Sequence, residues 1–427
     1  MTIAVFLVSL CGAMAMGIPV AISLLICGIA LMLYLGVFDT QILASNLMDG
    51  ADNFPLMAIP FFILAGELMN AGGISKRIIN FAMSLVGHIR GGFGYVAIIA
   101  SVIFAGLSGS AVADTAALGA ILIPMMASAG YNRAQSGALI ASAGIIAPIM
   151  PLSVPMIVFG VTAGVSIPKL FMSGIVPGLL LAIFLALAWA WMVRKDHYKV
   201  EPRRSLSETL IAAREAVWAF ILPFIIIVGL RGGVFTPTEA ASIAAWYALF
   251  VGAFVYRELN WKMLVRVLTS SAKTTSVIML LAAAAMVSSW LITVANIPQQ
   301  IVGLLEPLMH NKILLMLAIN VIVLLVGTAM DLMPTILILT PVLMPVITAA
   351  GIDPVYFGFM FVFNNCIGLL TPPVGTVLNV AAGVGKISME DIIKSVMPFM
   401  WIEIVLLLLL TVFPEIVLVP LQFLTRR

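Results

Sequence analysis

Charge is what this chain has least of. Only 9% of its 427 residues are Asp, Glu, Lys or Arg, whereas 63% are hydrophobic, and the mean hydropathy is +1.20. A soluble globular protein carries about 25% charged residues, so this chain cannot cover a water-facing surface with charge. Cysteine is scarce as well. Cys11, Cys27 and Cys366 all lie in apolar segments without metal-ligand spacing and read as packing residues. Histidine is equally sparse: His88, His197 and His310 stand near predicted helix ends, away from any Cys or His cluster, so no metal centre is indicated. A formal net charge of +3 is too small to suggest a nucleic-acid partner. The opening MTIAVFLVSL lacks a basic leader and a cleavage site, and reads as a first membrane helix and not a cleaved signal peptide.

What the chain does have is apolar length. Runs of about 18 or more apolar residues, enough for a spanning helix of roughly 20, recur from Ile3 to Phe423. The runs are continuous and do not alternate in polarity, which favours helices over a membrane barrel. The expectation is an all-α polytopic membrane protein. One stretch interrupts it, VRKDHYKVEPRRSLSE at 193–208, whose Arg194, Lys195, Lys199, Arg203 and Arg204 place it in the cytoplasm by the positive-inside rule.

That basic stretch cuts the chain nearly in half, and the halves resemble each other. Asp114 stands ten residues before Pro124, as Asp331 does before Pro341, an offset of 217. Pro151, Gly164 and Pro177 match Pro372, Gly385 and Pro398 at an offset of 221, and GGISKRII at 72–79 matches ANIPQQIV at 295–302 at 223. These matches predict a first repeat over 1–195, a cytoplasmic linker over 196–215 and a second repeat over 216–427. If each repeat crosses the membrane an odd number of times, the second is inverted, as in many secondary transporters with discontinuous helices.

Each repeat also contains two places where the backbone should leave the helix within the membrane. The first pair is AGLSGSAVADTAA (105–117) and GTAMDLMPT (327–335); the second is APIMPLSVP (147–155) and GLLTPPVGT (368–376). Proline removes a donor and glycine permits irregular dihedrals, and freed backbone groups are tolerated at that depth only where they are buried or line a cavity. Carbonyls and Ser/Thr hydroxyls there are hard ligands suited to sodium, and half-helix N-termini suit a carboxylate. Asp114 and Asp331 are expected to brace these sites, with Asn364 and Asn365 adding neutral oxygens, because an intramembrane carboxylate costs about 2.5–3.5 kcal/mol on insertion scales. Glu67, Glu239 and Glu403 read as structural or interfacial. GLSG at 106–109 also satisfies the G-x-S-G pattern around the serine of rhomboid-type intramembrane proteases, but no histidine base lies in an apolar helix interior.

Five blocks carry a more specific resemblance: FAGLSGSAVADTAALGAILIPMM, ASAGIIAPIMPLSVPMIVFGV, GVFTPTEAASIAAWYALFVG, MDLMPTILILTPVLMPV and GLLTPPVGTVLNV. Together they resemble the large membrane subunit of TRAP (tripartite ATP-independent periplasmic) transporters, from the first helix to the last. The resemblance implies an elevator-type fold of inverted repeats, with re-entrant hairpins at about 94–128 and 313–347 facing broken helices at about 147–155 and 368–376. It implies a sodium-driven importer in the bacterial inner membrane, and the absence of a Walker motif agrees with independence from ATP. The implied partners are a small four-helix membrane subunit and a periplasmic binding protein that delivers an organic acid of the sialic acid, sugar acid or C4-dicarboxylate type. Residue by residue, Ser108, Gly109 and Ser110 match positions lining sodium and substrate-carboxylate sites, and Pro151 and Ser153 match the break of the first repeat. Gly327, Thr328 and Asp331 match the second sodium-binding tip, and Thr371, Pro372 and Gly375 match the unwound helix facing it. The alternative is a standalone sodium- or proton-coupled carboxylate transporter on a related fold.

Overall fold

In a computed structural model, which describes residues 2–195 and 201–425, the chain is helical and the described residues contain no strand. The first half runs α1 (Thr2–Ala15), α2 (Val20–Leu35), α3 (Thr40–Ala51), α4 (Ala58–Ala71) and α5 (Ile74–Val86). It continues with α6 (Gly92–Ser108), α7 (Ala111–Ser128), α8 (Arg133–Gly144), α9 (Val154–Ala163) and α10 (Ile167–Met192). The second half runs α11 (Leu206–Arg231), α12 (Pro237–Phe250), α13 (Trp261–Val294), α14 (Ile297–Met309) and α15 (Lys312–Ala329). It closes with α16 (Leu332–Ala349), α17 (Pro354–Gly368), α18 (Thr376–Gly385), α19 (Met389–Val412) and α20 (Glu415–Thr425). Among the described residues nine helical segments are long and apolar enough to cross a membrane, or ten if the bent pair α8 and α9 forms one span.

The helix boundaries reveal a cleaner duplication than the sequence matches do. An offset of 221 (332 − 111) carries α7 onto α16, from Ala111 to Leu332 and from Ser128 to Ala349. The same offset carries the end of α6, Ser108, onto Ala329, and the start of α8, Arg133, onto Pro354. At an offset of 223 (297 − 74), α5 falls on α14. The long α13 corresponds to α3 and α4 together. The first copy is interrupted at Asp52–Asn53, where Asn53 is extended (ψ 113°) and Phe54–Met57 forms a 3-10 turn with Pro55.

This register corrects the offset of 217. Pro124 corresponds to Pro345, not Pro341, and Asp114 corresponds to Thr335. The partner of Asp331 is Ser110, since both residues are the N-caps of their helices. The predicted linker of 196–215 is also too long. Ser205 caps α11 in a reciprocal box, donating its N–H to Glu208 Oε2 at 2.7 Å and accepting the Glu208 N–H at 3.2 Å, so the helix starts at Leu206. Residues 196–200 of that stretch lie outside the described residues.

Packing then gathers the broken elements. The turn between α6 and α7 lies against the break between α8 and α9, and α7 packs on α8 and α18. The α15–α16 turn lies against the end of α17, while α4, α12 and α13 form a neighbouring group. Glycine permits close approaches at both tips. A side chain on Gly368 would meet the Gly327 backbone at 2.8–2.9 Å, and one on Gly66 would lie 3.3 Å from Ser108 Cα.

Candidate functional site

At the first tip the chain must reverse within a single residue, and Gly109 does so with φ +62°, which glycine tolerates at no steric cost. Ser110 is then extended and caps α7, its Oγ accepting from the Ala113 N–H at 3.4 Å. Ser108 Oγ accepts the Ser110 N–H at 3.2 Å and donates to Asp114 Oδ1. Asp114 is 1% exposed, and its Oδ2 is buried without a hydrogen-bond donor. Thr115 Oγ1, the next residue along α7, is likewise buried and unpartnered.

The facing break runs through Met150 to Ser153, with Leu152 at φ +76°, a strained setting for a branched residue. Ser153 is fully buried and caps α9, its Oγ accepting the Met156 N–H at 3.3 Å and donating to the Pro148 carbonyl at 2.5 Å. Its hydroxyl is therefore committed to the backbone.

At the second tip the helix stops at Ala329, and Asp331 caps α16 through its backbone alone. Its side chain is exposed and makes no capping bond. Tip and break are joined here by a hydrogen bond from the Val374 N–H to the Thr328 carbonyl at 3.3 Å. The break itself holds Thr371, whose Oγ1 donates to the Ile367 carbonyl at 2.8 Å, the cis peptide Pro372–Pro373, and Gly375 at φ +48°. Asn365 Oδ1 and Thr376 Oγ1 are buried without partners, and Asn365 Oδ1 would be 3.2 Å from a side chain placed on Gly327. Asn364 is bound instead to Asn320, through its carbonyl at 2.8 Å and Oδ1 at 3.1 Å.

A cavity of about 380 Å³ opens beside the first tip. Ser108, Gly109, Ser110 and Asp331 line it, and so do Pro148, Val154 and Pro155 of the facing break. Further walls come from α4, with Glu67 and Asn70, from α13, with Thr274, and from Leu332 and Met333 of α16 and Leu369 after α17. The sequence-predicted residues thus divide. Ser108, Gly109, Ser110 and Asp331 meet at the cavity, and Asp114 braces it from behind. Gly327, Thr328, Asn365, Thr371, Pro372 and Gly375 belong to the second tip and its break and do not line the cavity. Neither do Pro151 and Ser153, whose places on its wall are taken by Pro148, Val154 and Pro155.

Sequence reasoning missed several groups. Glu67 lies on the cavity wall, although it reads as interfacial. Glu403, which also reads as structural or interfacial, is fully buried inside α19 with Ser142 facing its carboxylate. Thr376 is signalled only by its place as the last residue of the break at 368–376. Glu239 is structural as expected, since it closes a capping box with Thr236 on α12.

Chemically, the cavity offers two kinds of group. The first turn of α7 presents N–H groups that lack intrahelical acceptors, together with the positive end of the helix dipole. The second kind lies behind the cavity and outside its lining: the buried orphan oxygens of Asp114 and Thr115 at one tip, and of Asn365 and Thr376 at the other, are hard donors of the kind an alkali cation takes. Among the described residues no Lys, Arg or His lines the cavity, and Ser108 is paired with Asp114 and not with a histidine.

Comparison with known proteins agrees with this anatomy. The family described as tripartite ATP-independent periplasmic transporter, DctM component, matches residues 7–416. The chain is similar to the 2,3-diketo-L-gulonate TRAP transporter large permease protein YiaN of Escherichia coli K12, at 51% identity over 99% of this chain and 100% of that one. It is 39% identical to the sialic acid TRAP transporter large permease protein SiaM of Vibrio cholerae, over 95% of each chain. Among solved structures, the Alcanivorax borkumensis YdaH transporter, reported as having an unusual topology, shares the fold. It superposes with a TM-score of 0.63 over 87% of each chain at 14% identity.

Proposed function

The chain belongs to the DctM-component family of tripartite ATP-independent periplasmic transporters, and on that premise we propose that it imports an organic acid in exchange for the energy of a sodium gradient. It is a multi-pass inner-membrane permease and not an enzyme. The substrate class in this reading is a sugar acid, sialic acid or C4-dicarboxylate, with the similarity to the diketogulonate permease favouring the sugar acids. A periplasmic binding protein would deliver it, and a small four-helix membrane subunit would complete the permease.

The observation that carries the reading is the cavity at the first tip. It joins the N-terminus of α7 and the Ser108–Ser110 hydroxyls to Asp331, with no basic side chain to anchor an anion. An organic carboxylate is then held by amides, hydroxyls and a cation together, which makes sodium a co-ligand and ties its movement to that of the acid. The tips and breaks form the carried unit, and α4 and α13 form the wall past which it slides in an elevator cycle. Gly66 keeps that seam close without a side chain between α4 and Ser108.

Proteoliposomes containing the permease complex and its binding protein test this directly. Uptake should require an inward sodium gradient. Equal uptake with potassium in place of sodium, or with a proton gradient alone, would remove the sodium role, and uptake without the small subunit and binding protein would favour the standalone alternative.

A further inference from the structure

Glu67 is the acidic side chain of the cavity that ion coupling does not use. It projects from the α4 wall, one residue beyond Gly66, whose backbone rests against Ser108 at the first tip. Ser270 on α13 donates to Glu67 Oε1 at 3.3 Å and steadies the carboxylate. Neither ion pair among the described residues involves it. It is partly exposed, and nearby Asn70 and Thr274 add neutral hydrogen-bonding groups to the same wall.

An ionised carboxylate only accepts hydrogen bonds, so a ligand facing Glu67 must offer donors. Hydroxyl groups do so, whereas a second carboxylate does not. The cavity therefore has two unlike poles: helix N–H groups and hydroxyls at the first tip for an anion, and an acceptor on α4 for donors. Asp331 adds a second negative charge, and among the described residues no basic side chain in the lining offsets either one.

We propose that Glu67 makes this cavity selective for polyhydroxy monocarboxylates, binding their hydroxyls and rejecting a second terminal carboxylate. The inference rests on the cavity being the substrate site. Rejection by an unpaired like charge is a recognised source of specificity, as effective as added attraction.

The test compares D-gluconate with D-glucarate, which carries the same hydroxyls and one further terminal carboxylate. Binding of each is measured to the purified full-length chain in nanodiscs at saturating sodium. The wild type should prefer gluconate by about tenfold or more, the scale of one uncompensated like-charge contact in a partly dry site. Glu67→Gln should bring the two affinities within about twofold of each other, and Glu67→Asp should keep the preference, because the charge decides it. Equal affinities in the wild type, or an unchanged ratio in Glu67→Gln, overturn the inference and leave the cavity as the substrate site. Absence of saturable binding for both acids overturns the substrate site itself and the inference with it. The wild-type ratio is informative whether or not the variants fold.

Discussion

Asp114 and Asp331 are both intramembrane carboxylates by sequence, yet their surroundings differ in a way that separates their roles. Asp114 is sealed in, shares a hydrogen bond with Ser108, and leaves Oδ2 without any donor. Burying such an oxygen uncompensated is costly, and a bound cation relieves the cost. Asp331 is exposed on the cavity wall and caps its helix without using its side chain, so its charge is less confined than that of Asp114. Asp114→Asn should therefore weaken sodium binding by on the order of 1–4 kcal/mol, raising the half-saturating sodium concentration by about tenfold or more, since 1.4 kcal/mol is about tenfold in affinity. Asp331→Asn should shift it by clearly less. Sodium-dependence curves for uptake by the two variants decide the matter, and equal shifts would mean that burial does not set the ion site. The residue types at the tips were legible because glycine, serine and aspartate stand out in an apolar run. The distinction between the two aspartates was not, since burial depends on what the rest of the chain packs against them.

At the scale of elements, the duplication was visible and its register was not. Prolines recur often enough in these helices to offer two alignments. Pro124 pairs equally well by eye with Pro341 or Pro345, and only the helix ends select the second. The breaks were readable from Pro and Gly density, whereas the close crossing of α15 and α17 depends on two glycines 41 positions apart (368 − 327). That crossing is also testable. An added methyl on Gly368 would press on the Gly327 backbone at 2.8–2.9 Å, and backbone cannot rotate away. Overpacking of this kind costs about 1–3 kcal/mol. Gly368→Ala should lower the melting temperature and raise the half-saturating sodium concentration together, because the same shift spreads Asn365 and the Thr328–Val374 bond. Gly383→Ala, within α18 and with open space where its methyl would go, should leave transport intact and stabilise the helix by about 1 kcal/mol at most. A Gly368→Ala permease with wild-type sodium dependence would place the ion elsewhere than the second tip.

For the molecule as a whole, the orientation of the two repeats follows from which ends are tied together. Arg204, in the basic stretch after α10, donates to Asn80 Oδ1 on α5 at 2.7 Å. Arg77, also on α5, pairs with Glu258 at 2.7 Å and stacks 3.7 Å over Tyr256, just after α12. Basic residues thus gather on one face, the cytoplasmic one by charge bias. The helix corresponding to α5 is α14, which lacks Lys and Arg altogether and instead touches the N-terminus, with Gln300 Nε2 donating to Thr2 Oγ1 at 3.2 Å. Three spans, α11, α12 and α13, separate the basic stretch from α14. From this odd number of crossings we infer that α14 and Thr2 lie on the opposite, periplasmic face and that the repeats are inverted. Single cysteines in a background with Cys11, Cys27 and Cys366 replaced give the test. With an impermeant thiol reagent applied to intact spheroplasts, T2C and Q300C should label and R203C should not, while inside-out vesicles should give the reverse. Labelling of R203C and Q300C from the same side would require an even number of crossings between them. The two tips would then be parallel copies, and the elevator cycle proposed above would lose its pseudo-two-fold basis.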